Sequence, residues 1–191
     1  MAREQYLRIK DFTFDIEKAF LNAFIREDVG LTWNLFIDAH RSTVQSEIWS
    51  PIAYLEDVPW AVNSFCDMNS TPIVIPDGEQ LGDGTILPDS TLCCLYVFSH
   101  NFLRDSTTFI RQISGDHFKV SWTATCDVFF DDEYGCDLPL EIEACVTFSG
   151  FETRHRQEFT ARELLAKHFD DSQLIFEPTP EFATSRFVFR A

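Results

Sequence analysis

Two stretches of the chain decide the fold: TTFIRQISGDHFKVSWTATC at residues 107–126 and LPLEIEACVTF at residues 138–148. Both alternate apolar and polar side chains, which is the period of a strand with one face buried. The second stretch follows the first after a short acidic segment. Together they predict an antiparallel meander of consecutive hairpins.

The turn of the first hairpin sets its register. A glycine followed by aspartate at residues 115–116 is typical of a two-residue turn. A turn of that length pairs Ile113 with Phe118 and Phe109 with Trp122, which places all four side chains on one face of the sheet. We therefore expect these four side chains to be buried together.

The N-terminal third of the chain suggests a strand, a helix and two more strands. Alternation predicts strands over residues 6–16 and 31–39, and a partner strand over residues 48–55 that Pro51 restricts to an edge or a bulge. Between the first two strands the period changes, which predicts an amphipathic helix at about residues 16–28. Asp15 is the expected cap of that helix and Gly30 follows its end. The helical spacing is that of Phe20, Leu21, Phe24 and Ile25.

The middle of the chain is the least regular part. Four prolines and two Asp-Gly pairs between residues 56 and 90 predict loops around one short strand, Ile73 to Ile75. Residues 92–98 are apolar on both faces, which favours a central strand, although periodicity alone also allows a buried helix.

The C-terminal segment suggests one helix and two brief strands. Thr160 and Glu163 have the spacing of a capping box, which predicts a helix from residue 161 to about residue 169. Its buried side chains would be Leu164, Leu165 and Phe169. Residues 174–176 and 187–189 have the pattern of terminal strands.

These elements predict one α+β domain over residues 1–191. Its centre would be an antiparallel meander in one or two layers, with two short amphipathic helices packed on it. No internal repeat or linker composition divides the chain. At this length a single core of ordinary size is the expectation.

Net charge is the most distinctive feature of the composition. The chain has 31 acidic and 15 basic side chains, a formal charge of −16. Such a charge argues against a nucleic acid or an anionic membrane as partner and favours a basic protein. The segments between Arg41 and Arg104 and between Lys119 and Arg154 contain no Lys or Arg, and each contains eight acids.

The sequence predicts a cytoplasmic protein with free thiols. The first ten residues have no continuous apolar run of the kind that a signal peptide needs. No apolar run approaches the length that spans a membrane. The six cysteines include no Cys-x-x-Cys pair, so a zinc site is not expected, and a reducing compartment disfavours disulfides.

Motifs for catalysis and cofactor binding are missing from the sequence. There is no nucleophile elbow, no pair of histidines at metal-ligand spacing, and no glycine loop followed by Lys-Ser or Lys-Thr. Cys145 shares its strand face with Glu141 and Glu143, and neighbouring carboxylates raise a thiol pKa, which makes it a poor nucleophile. We therefore expect no catalytic residue, no cofactor and no metal.

The leading hypothesis is a small acidic interaction protein that binds and neutralises a basic partner, as immunity proteins and nucleic-acid mimics do. Its contact surface would combine an acidic hairpin loop with the acidic stretch of residues 56–90, and Trp49 or Trp60 would be aromatic anchors unless they are buried in the core. The candidate contact residues are Asp77, Glu79, Asp83, Asp127, Asp131, Asp132, Glu133, Tyr134, Asp137, Glu141 and Glu143.

Two other functions remain open at this stage. One is an enzyme or small-ligand-binding protein whose pocket lies between the loops of residues 56–90 and the sheet. The other is a structural subunit of a phage or another multiprotein assembly. The acidity is also compatible with a role in solubility alone, and the sequence does not define an oligomeric state.

Overall fold

The fold is built almost entirely from β-structure. The computed structural model describes residues 5–75, 79–80, 86–87, 92–128, 135–170, 172–178 and 184–190, with the strand backbone alone at 79–80 and 86–87. Strand accounts for 63% of it and helix for 8%. The predicted α+β class, an antiparallel meander with two amphipathic helices packed on it, is therefore wrong. A large, curled, mixed sheet replaces it.

The described residues form seventeen strands and two helices. The helices are α1 (Phe65–Met68) and α2 (Glu158–Leu165). The strands are β1 (Tyr6–Ile9), β2 (Phe12–Phe14), β3 (Ile16–Arg26), β4 (Gly30–Ala39), β5 (Ser42–Val44), β6 (Glu47–Trp49), β7 (Ile52–Pro59), β8 (Ile73–Ile75), β9 (Glu79–Gln80), β10 (Ile86–Leu87), β11 (Cys93–Tyr96), β12 (His100–Phe102), β13 (Arg104–Ser114), β14 (His117–Cys126), β15 (Leu138–Thr153), β16 (Leu174–Pro178) and β17 (Ser185–Phe189).

The main sheet curls until its two ends meet. Its order is β12-β11-β7-β4-β3-β15-β14-β13-β8. β12 and β13 stand near opposite ends of that order, yet only Leu103 separates them in the chain. The amide of Leu103 donates to the carbonyl of Cys93 at 3.0 Å, which extends the β11–β12 pairing, and the thiol of Cys93 in β11 donates to Ser106 Oγ of β13 at 3.2 Å. The inner face of the curled sheet consequently encloses the core.

The long strand β15 organises the sheet because it has different neighbours along its length. On one side β14 pairs with residues 138–147 and β17 with residues 151–153. On the other side β1 pairs antiparallel with residues 140–143, and β3 pairs parallel with residues 147–153. The parallel β3–β15 pair explains why the sheet is mixed and not the antiparallel meander that we predicted.

The helix predicted at residues 16–28 is a strand, β3. Its inner side chains Leu21, Ala23 and Ile25 are buried, whereas Phe20 and Phe24 lie half-buried on the outer face. Apolar residues on both faces mask the alternation and produce the helical spacing by coincidence. Pairing with β4 and β15 overrides the local pattern.

The register predicted for the first hairpin is also wrong. Gln112 and not Ile113 stands opposite Phe118, and Thr108 and not Phe109 stands opposite Trp122. An irregularity between Gln112 and Ser114 inserts one extra residue beside the turn, and a shift by one residue exchanges the two faces of a strand. Ile113 and Phe109 are therefore 59% and 41% exposed, while Phe118 and Trp122 are buried.

Three smaller predictions need correction. Residues 6–16 do not form one strand, because β1 and β2 pair as a hairpin with Lys10 in the left-handed region at φ 52°. β7 begins after Pro51 and lies between β4 and β11, so it is not an edge strand. The helix near residue 160 begins at Glu158, two residues before the predicted capping box, and Gln157 makes no side-chain cap.

Several predictions are confirmed. All six inward positions of residues 138–148 are buried, as are the inward positions of residues 33–39. The short strand at residues 73–75, the strand between two neighbours at 93–96, and the terminal pair β16–β17 are present. Leu164, Leu165 and Phe169 are buried as expected.

Aromatic rings fill one end of the enclosed core. Phe65 of α1 and Phe169, which follows α2, pack with ring centroids 4.8 Å apart. Phe151 of β15 packs on Phe169 at the same distance, and Trp33 of β4 packs on Phe151 at 5.3 Å. The two helices thus close this end of the core. The outer face of the sheet is left as the surface.

Candidate functional site

The structure describes only part of the predicted acidic surface. Asp77, Asp83, Asp131, Asp132, Glu133 and Tyr134 lie outside the described residues, and of Glu79 only its place in β9 is described. The described candidates are Asp127, Asp137, Glu141 and Glu143. Trp49 and Trp60, the possible aromatic anchors, are both buried.

Arg104 binds Asp127 and Asp137, the two described aspartates that flank the predicted acidic hairpin loop. Arg104 donates to both carboxylate oxygens of Asp127, at 2.8 and 3.0 Å, and to Asp137 at 2.8 Å. The arginine hydrogen bond lowers the pKa of Asp127, against a smaller effect of burial that raises it. Both aspartates are therefore paired within the chain, and the single charge of Arg104 compensates one of their two negative charges.

Glu141 and Glu143 also have partners of their own. Glu141 accepts hydrogen bonds from Tyr6 and Arg8 of β1, and the tyrosine bond is the main reason why its pKa is lowered. Glu143 accepts from Ser121 at 2.6 Å and lies 3.1 Å from the Lys119 ammonium. The four described candidates thus stabilise the sheet and present little uncompensated charge.

A row of aromatic side chains crosses the outer face elsewhere. Five directly paired positions on β3, β4, β7, β11 and β12 form it, four of them aromatic and one a cysteine, and we call it the aromatic row. The Phe20 and Phe36 rings stack at 5.1 Å, and the Lys18 ammonium lies 5.2 Å from the centre of the Phe20 ring. The members of the row are Phe20, Phe36, Tyr54, Cys94 and Phe102.

A shallow groove of about 300 Å³ runs beside the row, with Phe20, Phe36 and Tyr54 along it and Glu56 at one end. Asp38 stands in the next row, opposite Lys18. Burial is the main cause that raises the pKa of Asp38, and the nearby Glu17 raises it further. The groove is thus apolar with acids at its margin, which is the composition of a protein-binding patch with a polar rim.

Two bulges disturb the sheet at the end of this groove. On β7, Glu56 and Asp57 together stand opposite the single residue Asn34, so two consecutive acids lie away from the core. On β15, Ser149 and Gly150 similarly stand opposite Asn22. Gly150 has φ +123°, and a Cβ there would lie 2.6 Å from the carbonyl of Phe187, so only glycine fits.

Asn22 and Asn34 are direct cross-strand partners between these two bulges. Asn34 Oδ1 accepts from the amide of Asp57 at 2.8 Å, and Asn22 Nδ2 donates to Glu152 at 3.4 Å. The other side-chain atoms, Asn22 Oδ1 and Asn34 Nδ2, are buried without a hydrogen-bond partner. Unsatisfied buried polar atoms are rare in folded proteins and often mark functional positions.

A polar cleft of about 280 Å³ opens next to the asparagine pair, where β3 and β15 run parallel. Arg26 and Thr32 both donate to Asp57 Oδ1, at 3.0 and 2.9 Å. Asp57 has φ +51°, an unfavourable conformation for a non-glycine residue that these bonds hold in place. Glu152 and Arg154 also line the cleft.

Sequence reasoning missed the aromatic row and the cleft. It assigned residues 20–26 to a helix, which gives no cross-strand neighbours. The available signal was an asparagine inside two apolar runs, FLNAFI at 20–25 and WNLFI at 33–37, because asparagine is depleted in strands. The alternative prediction of a pocket in the loops of residues 56–90 falls in large part outside the described residues, and of that segment Glu56 and Asp57 line the cleft.

The cysteines lie apart from the cleft, and none of the six, all of which the structure describes, forms a disulfide. Burial raises the pKa of Cys93 and of Cys126 to about 12, so neither thiol ionises near neutral pH. Cys145 is exposed on the outer face of β15, as its parity predicts. No group of three or more His, Cys, Asp or Glu side chains among the described residues is arranged to hold a metal ion.

Comparison with models of known protein families, with curated proteins and with solved structures finds no match. Neither of the helices in the described part of the chain is long and apolar enough to cross a membrane. Function therefore has to be argued from the surface itself.

Proposed function

We propose that the protein is an acidic interaction module that binds a basic protein segment on the outer face of β3, β4, β7, β11 and β12. The supporting observation is the aromatic row with acids at its margin. Half-buried aromatic rings supply the contact area that anchors such interfaces. Asp38 and Glu56 supply the charge that favours a cationic partner.

The chain itself contains an example of the contact that we propose. The Lys18 ammonium lies over the Phe20 ring, in the geometry of a cation–π interaction. A lysine or arginine of the partner would meet the same chemistry at Phe36 and Tyr54, with carboxylates nearby. A strongly negative chain would also attract that partner over a distance and speed its association.

The contact surface proposed here consists of other residues than the acidic surface that the sequence predicts. Four of the acids that the sequence predicts as contact residues are described, and all four are paired with Arg104, Arg8 or Lys119. They are Asp127, Asp137, Glu141 and Glu143. Asp38 and Glu56 have no ion-pair partner among the described residues. Unpaired acids retain their charge for a partner, whereas paired acids would have to give up an existing contact.

The test uses synthetic peptides in which Arg or Lys alternates with Trp or Leu, and control peptides with Glu in place of each cation. Fluorescence anisotropy at low ionic strength would measure binding to the whole protein. We expect the basic peptides to bind and the acidic controls not to bind, with affinity falling as salt screens the charges.

A matched pair of variants locates the surface. F36A removes a ring from the aromatic row, whereas F109A removes a partly exposed ring from β13 on another part of the sheet. We expect F36A to weaken peptide binding about tenfold and F109A to leave it unchanged. Equal effects of the two variants, or equal binding of basic and acidic peptides, would overturn the proposal.

A further inference from the structure

The cleft beside the asparagine pair has a different chemistry from the groove. It lies between the ends of β3 and β15, and Phe24 and Ile25 form part of its wall. Glu152 of β15 is half-buried, and Arg154, the first residue after the strand, is exposed, so the two side chains lie two residues apart at the end of β15. One position is an acid and the other a base.

Neither of these charges has an ionic partner among the described residues. No carboxylate of the described residues is within ion-pair distance of Arg154, and no described cation is within that distance of Glu152. Glu152 has only the long hydrogen bond from Asn22. Adjacent charges of opposite sign that remain apart can each bind a charge of a ligand.

The buried polar atoms around the cleft include both a hydrogen-bond acceptor and hydrogen-bond donors. Asn22, which is only 9% exposed, has an unpartnered acceptor at Oδ1. Asn34 Nδ2 and Arg26 Nε are unpartnered donors. Arg26 and Asn34 both line the cleft, and Asn22 is the cross-strand partner of Asn34. All three atoms are covered in the structure and lie behind the surface of the cleft, so the oppositely charged side chains of Glu152 and Arg154 are the groups open to a ligand.

A ligand with a single charge would satisfy only half of this set. Three carboxylates, those of Glu56, Asp57 and Glu152, line the cleft, so a simple anion would meet an excess of negative charge. A simple cation would leave Arg154 without a counter-ion. A small zwitterion satisfies both sides, and its charges need to be only a few ångströms apart.

We propose that this cleft binds a free α-amino acid. The ammonium group donates to the Glu152 carboxylate. The carboxylate of the ligand accepts from the Arg154 guanidinium. The side chain lies against Phe24. This site adjoins the groove of the peptide-binding surface and shares Asn34 and Glu56 with it, but its two ligand-binding charges are Glu152 and Arg154, and it does not depend on that function.

The probes are the twenty proteinogenic amino acids, added singly at millimolar concentration to the intact protein. Saturation-transfer NMR would detect binding and calorimetry would measure its Kd. The best-bound amino acid is then compared with its N-acetyl derivative and its amide, each of which lacks one of the two charges. We expect each derivative to bind at least about tenfold more weakly than the parent.

Two variants assign the contacts. R154Q and E152Q should each raise the Kd at least about tenfold, because a charge-assisted hydrogen bond is lost. R156Q is the matched control, since Arg156 is exposed on the same segment and does not line the cleft. Thermal unfolding of each variant would establish that it is folded.

The proposal is overturned if no amino acid binds, if the N-acetyl derivative or the amide binds as well as the parent, or if R156Q has the same effect as R154Q. The two proposed sites can fail independently. F36A should leave amino-acid binding unchanged, and R154Q should leave binding of the basic peptides unchanged.

Discussion

Asp38 is a half-buried carboxylate on the outer face of β4. Burial and the nearby Glu17 raise its pKa, whereas Lys18 and His40 act in the opposite direction. The charged form is therefore less favourable in the folded chain than in the unfolded chain. Such a residue lowers stability at neutral pH, which is compatible with a role in binding.

We predict that D38N is more stable than the wild type at neutral pH. Because the pKa of Asp38 is raised on folding, its cost is present above the folded pKa and disappears as the pH falls below the ordinary range of the carboxyl. The advantage of D38N should therefore shrink between pH 7 and about pH 4. Urea unfolding at both pH values measures this. D11N, at an exposed position, is the control, and a D38N variant that is less stable at pH 7 would contradict the prediction.

At the scale of elements, β13 provides the sharpest test of the observed register. Ile110 is fully buried and Ile113 is 59% exposed. We expect I110A to lower the free energy of unfolding by about 2 to 5 kcal/mol and I113A to change it by about 0.5 kcal/mol or less. Chemical denaturation of the two variants checks this ranking. The reverse ranking would mean that the hairpin has the simple two-residue turn that the sequence suggests.

Strands with one apolar face were predictable, and strands with two apolar faces were not. In β15 every outward position of residues 138–148 is polar or small, so the alternation is visible in the sequence. In β3 the outward positions include Phe20 and Phe24, and the pattern then resembles a helix. The residues that misled the prediction belong to the candidate binding surface. Half-buried aromatic side chains on the outer face therefore hid the period of two that the inner face follows.

Bulges were the second source of error, because they depend on pairing over long distances. The extra residue in β13, the pair of acids in β7 and the Ser149–Gly150 pair in β15 each break the period of two. Glycine is required at position 150 because Phe187 of β17 packs against it, and the local sequence does not reveal that contact. The cleft lies between two of these bulges, so the same irregularities that escaped prediction also create the site.

At the scale of the whole molecule, net charge opposes folding. Ion pairs such as Arg104–Asp127 and Lys119–Glu143 lie near the surface, where each contributes about 1 kcal/mol or less. The acids outnumber the bases by 16, so most carboxylates repel one another in the compact state. Repulsion among the surplus charges should therefore outweigh the attraction within the pairs.

We predict that sodium chloride stabilises the fold over the range in which it screens charges. The Debye length falls from about 30 Å at about 0.01 M salt to about 8 Å at about 0.15 M, so the urea midpoint should rise between these concentrations. The variant D11N/E47Q/E163Q removes three exposed charges and should show a smaller rise. A midpoint that falls with salt would mean that the ion pairs dominate. In that case the surplus charge contributes too little to the surface potential to attract a basic partner over a distance.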